Sequence, residues 1–251
     1  MGIVLNTAYM LMQEGLRRSF HGKILQLGKQ DVYLSWECLQ KVAKHLGYPL
    51  SPLMDWEIQL NQKDWCLPMK MITDTTFFRA LGFSEVVSMD YSAAEGADYI
   101  WDNNNTVPGE YHEKYDVVYD GGTCEHVFNV PNFLSNVCLM SAIEGRVIHD
   151  SPSSAFLDHG FYSIQPTLYY DFYRANNFEV NKICVVKYAK ERMLSHSAEQ
   201  LPYTPGMYDL HKTWALDGKI YSTFCIATKR CVFKTLITPQ QSIWARLSSN
   251  A

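Results

Sequence analysis

An α/β fold built on a mostly parallel sheet is predicted by the stretch 114–152, which reads as strand, acidic turn, helix and strand. Three observations carry that prediction. Val117, Val118 and Tyr119 form an apolar run with no polar alternation, the pattern of a strand buried on both faces. From Val130 the apolar residues Phe133, Leu134, Val137, Cys138 and Met140 follow helical spacing on to Ile143, with Pro131 tolerated in the first turn and Gly145 as a stop. Arg146 to His149 then make a second buried strand, which completes a crossover unit. In such sheets ligands sit at the carboxyl ends of the strands. Polar residues gather there: Asp120, Thr123, Glu125 and His126 after one strand, around a Gly121-Gly122 turn, and Asp150, Ser151 and Ser153 after the next.

The other elements follow in chain order. Leu5 to Phe20 has an amphipathic pattern, with Tyr9, Met10, Met12 and Leu16 on one side, and residues 1–22 are expected to form a helix over the sheet or the pocket. Lys23 to Leu27 is the first strand. Ser35 caps a helix that runs to Leu46, with Glu37 in its first turn and Gly47 closing it. Residues 48–72 depart from a minimal unit: Pro49, Pro52, Trp56, Trp65 and Pro68 alternate with charge, as in an insertion. Asp74 to Leu81 is a further helix, ended by Gly82. Glu85 to Met89 is a strand that terminates at Asp90, and Asp98 to Trp101 is a short edge strand. Gln165-Pro166-Thr167 opens a helix at Leu168 to Ala175. Phe178 to Lys187 and Lys219 to Thr228 alternate as antiparallel strands do, and residues 191–216 between them read as a lid, a substrate-side segment or an oligomer contact.

The 251 residues suit a single α/β domain with embellishments, and 47% hydrophobic residues suffice for a full core. A net charge of −4 gives no reason to expect nucleic acid or an anionic membrane as partner. No apolar run approaches the ~20 residues that span a bilayer, and Met1 to Met12 reads as helix rather than signal peptide. Seven scattered cysteines without a CxxC pair point to reduced thiols and a cytoplasmic protein.

The wording YDVVYDGGTCEHVFN, then IEGRVIHDSP, then HGFYSIQPTLYYDFY resembles class I S-adenosylmethionine (SAM)-dependent methyltransferases. It is similar to a subgroup with a DGGTLEHVFN-like block, a GGR strand and a GHGFY loop. The resemblance spans roughly residues 23–186 and is most specific over 115–173. It implies a Rossmann-like, mostly parallel seven-stranded sheet with an antiparallel C-terminal hairpin and helices on both faces. It also implies SAM as cofactor and a small-molecule methyl acceptor, such as a sugar or secondary metabolite, methylated on oxygen or nitrogen. In that frame Gly28, with Lys29 and Gln30, stands for the glycine-rich loop. Asp90, with Tyr91, takes the ribose hydroxyls, Asp102 and Asn103 meet the adenine, and Asp120, Gly121 and Gly122 complete the cofactor site. Only Gly28 of the usual loop glycines is present. Either Gln30 and Asp31 make side-chain contacts instead, or the loop is degenerate and the chain is a binding or scaffold protein. The residues allow local roles too: Asp90 as a cap ahead of Ser92 and Glu95, and Asn103 as part of a turn.

Methyl transfer needs alignment, exclusion of water and, for some acceptors, a base. His159, in a loop with little core to fill, and His126, beside the strand tip, are the candidate catalytic residues. For His126 a structural role at the helix start is the alternative. Glu125, Asp150, Phe161 and Tyr162 are candidate substrate contacts. His149, Asp150, Asp158 and His159 match no metal-ligand spacing, so no metal is expected. There is no GxSxG elbow for a hydrolase and no GxGxxG for a dinucleotide enzyme. A homodimer is compatible with the sequence.

Overall fold

A computed structural model describes residues 2–189, 198–208 and 218–244. Its centre is one eight-stranded sheet in the order β3-β2-β1-β4-β5-β8-β6-β7. The parallel part comprises β1 (Lys23–Leu27), β2 (Glu85–Asp90), β3 (Tyr99–Ile100), β4 (Tyr115–Asp120) and β5 (Ser141–Ser154). β8 (Lys219–Lys229) runs antiparallel between β5 and β6 (Phe178–Ala189), and β7 (Glu199–Pro202) adds an antiparallel edge. This is the expected Rossmann-like α/β sheet with antiparallel C-terminal strands, with one more strand than the seven anticipated. The extra strand lies in the part of 191–216 that is described; 191–197 and 209–216 lie outside the described residues.

Helices cover both faces because the sheet is apolar on both. α1 (Leu5–Arg17), α2 (Trp36–Leu46) and α3 (Asp74–Leu81) bury Met10, Leu11, Leu39, Phe77 and Phe78 against one face. α4 (Val130–Met140) and α5 (Pro166–Ala175) bury Phe133, Leu134, Tyr169 and Tyr173 against the other. Each such side chain contributes ~1.5–3 kcal/mol by leaving water. Helix ends follow the sequence signals. Ser35 Oγ accepts from Cys38 N at 3.2 Å, Thr73 Oγ1 from Thr76 N at 3.2 Å, and Gly47 (φ +68°) closes α2 in the left-handed region.

The end of α4 differs from expectation. The helix stops at Met140 rather than continuing to Ile143, and Ser141 is already extended. Its end carbonyls are satisfied by distant groups: buried Lys229 Nζ on β8 donates to Cys138 O and to Ser141 O, both at 2.9 Å, and Glu113 N and Lys114 N donate to Leu139 O at 2.8 Å and Met140 O at 3.1 Å. Residues 142–145 then bulge out, so that Tyr115 pairs with Ser141 while Val117 pairs with Arg146. In the insertion, Trp56 is exposed, and Glu57 and Gln59 are tied to Arg79 and Thr76 of α3.

Candidate active site

Register alone assembles the site. Leu27 of β1 pairs with Met89 of β2 and Asp120 of β4, Met89 pairs with Tyr99 of β3, and Asp120 pairs with His149 of β5. The next residue along each strand therefore falls in one row at the carboxyl edge: Ile100, Asp90, Gly28, Gly121 and Asp150. The chain turns opposite ways from β1 toward β2 and toward β4, so this row contains the switch point where open α/β sheets bind ligands.

At the row's centre Gly28 has φ +76°, and a Cβ there would stand 2.6 Å from Thr123 Oγ1. Only glycine fits both demands. Thr123 Oγ1 donates to Leu27 O at 2.7 Å, which ties the first loop to the β4 turn. Asp90 Oδ2 accepts from Lys29 N at 3.1 Å and Oδ1 from Ser92 N at 3.2 Å. Each carboxylate oxygen keeps lone-pair capacity beyond those bonds. The Lys29 ammonium turns away, to Asp74 Oδ2 on α3 at 2.9 Å. The Gln30 amide tucks beneath the loop, where Nε2 donates to Gly28 O at 3.1 Å.

A cleft of about 330 Å³ opens at these tips, lined among others by Gly28, Asp90, Tyr91, Trp101, Asp102 and His126. That volume lies in the range of small-molecule pockets, ~300–1,000 Å³. Tyr91 is exposed at its mouth. Asp102 Oδ1 accepts from Asn104 N at 2.9 Å in an Asx turn, and buried Asn103 is bound by Asn136 of α4, so local roles occupy part of both side chains. Trp101, Thr123 and Val127 also line the cleft. Trp101 and Val127 were not singled out from sequence, because an apolar residue beside a strand end carries no signal of its own.

Asp120, Gly121 and Gly122 are buried. Asp120 Oδ2 meets His149 Nδ1 at 2.7 Å and Oδ1 accepts from Thr123 N at 2.8 Å, so its carboxylate holds the turn. His149 Nε2 meets the Tyr173 hydroxyl at 2.5 Å and its ring stacks on Tyr169. His149 thus points into the fold. Beside Gly121, Gln30 Oε1 and the Tyr119 hydroxyl are buried with no hydrogen-bond partner among the described residues. A Cβ on Gly121 would sit 2.5 Å from the first and 2.8 Å from the second. Asp150 is also buried: Thr7 Oγ1 donates to its Oδ2 at 2.7 Å and Ser222 Oγ to its Oδ1 at 3.1 Å.

The turn after β4 brings the two candidate catalytic histidines, His126 and His159, side by side. Their rings lie 5.0 Å apart. Between them sits Glu125, whose side chain is fully buried, with Oε1 3.8 Å from His126 Nε2 and 3.6 Å from His159 Nε2. Burial, reinforced by the charge of Asp120, pushes the Glu125 carboxyl up to about 8. Burial also lowers the imidazole pKa of both histidines, which favours neutral rings at physiological pH. The loop carrying His159 is pinned by Phe161 N and Tyr162 N, which donate to Glu125 O at 2.8 and 3.2 Å. Phe161 and Tyr162 are exposed and pack with Phe128 in an aromatic rim. Ligand atoms of Glu125, His126 and His159 all lie within 4.8 Å of one another, close enough to share a cation.

No family model matches the chain, and no curated protein matches it. Several solved structures are similar in shape. A phosphoethanolamine N-methyltransferase 2 of Haemonchus contortus, solved with S-adenosylhomocysteine, is 11% identical; the match covers 90% of this chain and 53% of that one, with a TM-score of 0.45. The YcgJ protein of Bacillus subtilis is 9% identical over 89% of this chain and 98% of that one, with a TM-score of 0.45. A geranyl diphosphate methyltransferase solved with SAM is 9% identical over 88% and 84%, with a TM-score of 0.44. At this distance the likeness assigns neither an activity nor a substrate to this chain. Among the described residues no helix is long and apolar enough to cross a membrane.

Proposed function

We propose that the chain is a SAM-dependent methyltransferase that methylates an oxygen or nitrogen of a small molecule, a sugar or secondary metabolite. One observation carries the reading: the Gly28 loop, the Asp90 carboxylate and the aromatic cleft share one row at the switch point of the sheet. A carboxylate there suits two vicinal ribose hydroxyls, and Tyr91 and Trp101 suit a flat base.

The buried polar atoms fit the rest of the cofactor. Gln30 Oε1, an acceptor, and the Tyr119 hydroxyl, a donor, stand without partners beside Gly121. An ammonium and a carboxylate of an amino-acid head would satisfy them, and unsatisfied they each cost ~1–3 kcal/mol. When bound, SAM supplies a methyl group activated by a sulfonium. The chain's part is to orient the acceptor and to exclude water. His126 belongs both to the cleft wall and to the cluster with Glu125 and His159. It thereby joins the cofactor side to the rim formed by Phe161 and Tyr162. Neutral imidazoles at His126 and His159 present lone pairs on that side, suited to an acceptor's proton.

The test is calorimetric titration of the purified protein with S-adenosylhomocysteine. Micromolar binding that Asp90→Ala weakens supports the enzyme. No heat from folded protein overturns it and leaves the scaffold reading, which the single loop glycine favours.

A further inference from the structure

The Glu125 carboxylate has an unusual surrounding. It is 0% exposed, yet neither oxygen accepts a hydrogen bond among the described residues, and His159 Nε2 is likewise buried without a partner. A buried, unpaired carboxyl is costly in any fold. The two imidazole nitrogens stand 3.6 and 3.8 Å from Oε1, too far for hydrogen bonds. Those separations instead approach the spacing of donors around a shared ion: with bonds of ~2.0–2.2 Å, tetrahedral ligands lie about 3.4 Å apart.

We propose that Glu125, His126 and His159 bind one divalent cation of the zinc class, through the Glu125 carboxylate and Nε2 of both histidines. Two imidazoles and one carboxylate suit zinc, iron, cobalt or nickel, whereas magnesium prefers oxygen donors alone. The fold prepares this set. The single helical turn Cys124–His126 directs Glu125 inward and leaves His126 45% exposed. Gly160 lets the second loop lie directly on Glu125, since a Cβ there would stand 2.9 Å from Glu125 O and 3.0 Å from its Cγ. His159, 32% exposed, is thereby held over the carboxylate. Three protein ligands leave a coordination position on the outer side, beside the Phe161 and Tyr162 rim. Binding of the ion is independent of the methyltransferase reading. Only its use rests on that reading: it would hold an acceptor oxygen at the open position and acidify it, in place of a free imidazole base.

The full chain, stripped with chelator and dialysed, is titrated with Co²⁺ under visible absorption and with Zn²⁺ by calorimetry. One equivalent per chain is expected, with the d–d bands of a tetrahedral site. His159→Ala and Glu125→Gln should each lower affinity at least by the ~10–100-fold that even outer ligand-supporting residues account for. Circular dichroism verifies that both variants remain folded, and the near-isosteric Glu125→Gln guards against loss of packing. Absence of bands and heat from folded protein overturns the proposal, as does an affinity that both variants leave unchanged. S-adenosylhomocysteine titrated into the same metal-free protein reports on the methyltransferase reading alone, so either can fail without the other.

Discussion

Asp90 and Gly28 are the residues on which binding should turn, and each makes a separate prediction. Asp90→Ala removes the only carboxylate facing the cleft from β2 while leaving the strand's backbone pairing intact. Hydrogen bonds to a charged group contribute ~1.5–3 kcal/mol, so affinity for S-adenosylhomocysteine should fall about 10–100-fold. Stability in urea unfolding should drop only by the loss of the Lys29 N and Ser92 N bonds, about 0.5–2 kcal/mol. Gly28→Ala should do the reverse in part: φ +76° and a 2.6 Å approach to Thr123 Oγ1 impose strain of about 1–3 kcal/mol, read as a lower urea midpoint together with weaker binding. Asp150 supplies a pH prediction. Burial raises its pKa against the pull of the Thr7 and Ser222 hydroxyls, and the charge of Asp120 raises it too. A folded pKa above the unfolded value means that the folded state holds the proton more tightly. Stability from this group is then full below the unfolded carboxylate pKa of ~3.9 and declines as pH rises toward the folded value. Asp150→Asn should remove that decline, so that the difference in melting temperature between variant and wild type grows from acid to neutral pH. Residues at strand ends, such as Asp90 and Gly28, were legible because a strand is local and its end is marked. The meeting of Glu125 with His159 was not, because only the folded path of the 155–162 loop brings them together.

Elements were legible to the extent that their ends are signalled locally. α2 and α3 begin and stop where Ser35, Gly47, Thr73 and Gly82 place them. α4 ends earlier than its periodicity implies, and its end carbonyls are met by Lys229 of β8 and by the backbone of Glu113 and Lys114, partners that no local pattern connects to it. The docking of α1 was equally invisible. Buried Arg146 on β5 donates to Glu14 Oε1 at 2.9 Å, to Arg18 O at 2.7 Å and to Ser19 O at 3.0 Å, with its guanidinium 4.4 Å from the centre of the Phe20 ring. This one side chain ties the helix and the turn after it to the sheet. Glu14→Ala would leave a buried guanidinium without its counter-ion and should destabilise the protein by about 3–5 kcal/mol in urea unfolding. Replacing both partners, Glu14→Leu with Arg146→Met, should recover part of that loss, because no uncompensated charge then remains buried. A double variant no better than the single one would assign the loss to packing rather than charge.

The order of the strands has no local signal, but the parallel core of the sheet and its reversed C-terminal strands were foreshadowed by apolar runs and by alternation in β6 and β8. The eighth strand was not, since Glu199–Pro202 is short, polar and ends in proline, and it exists only by pairing with Cys184–Lys187. The same sheet sets the response of the whole molecule to a ligand of the cleft, because the tips of β1, β2, β3 and β4 all contribute to it. A ligand that binds only the folded state at 100 times its dissociation constant adds ~2.7 kcal/mol. In a chain of 251 residues each kcal/mol moves the melting temperature by ~2–4 °C. Saturating S-adenosylhomocysteine should therefore raise it by about 5–10 °C, and Asp90→Ala should lose most of that rise at the same concentration. Adenosine at equal concentration should give a smaller rise, because Gln30 Oε1 and the Tyr119 hydroxyl stay unpaired without the amino-acid head. Equal shifts from the two ligands would remove that head from the site beside Gly121, and no shift from either would leave a scaffold whose loop no longer holds a nucleoside.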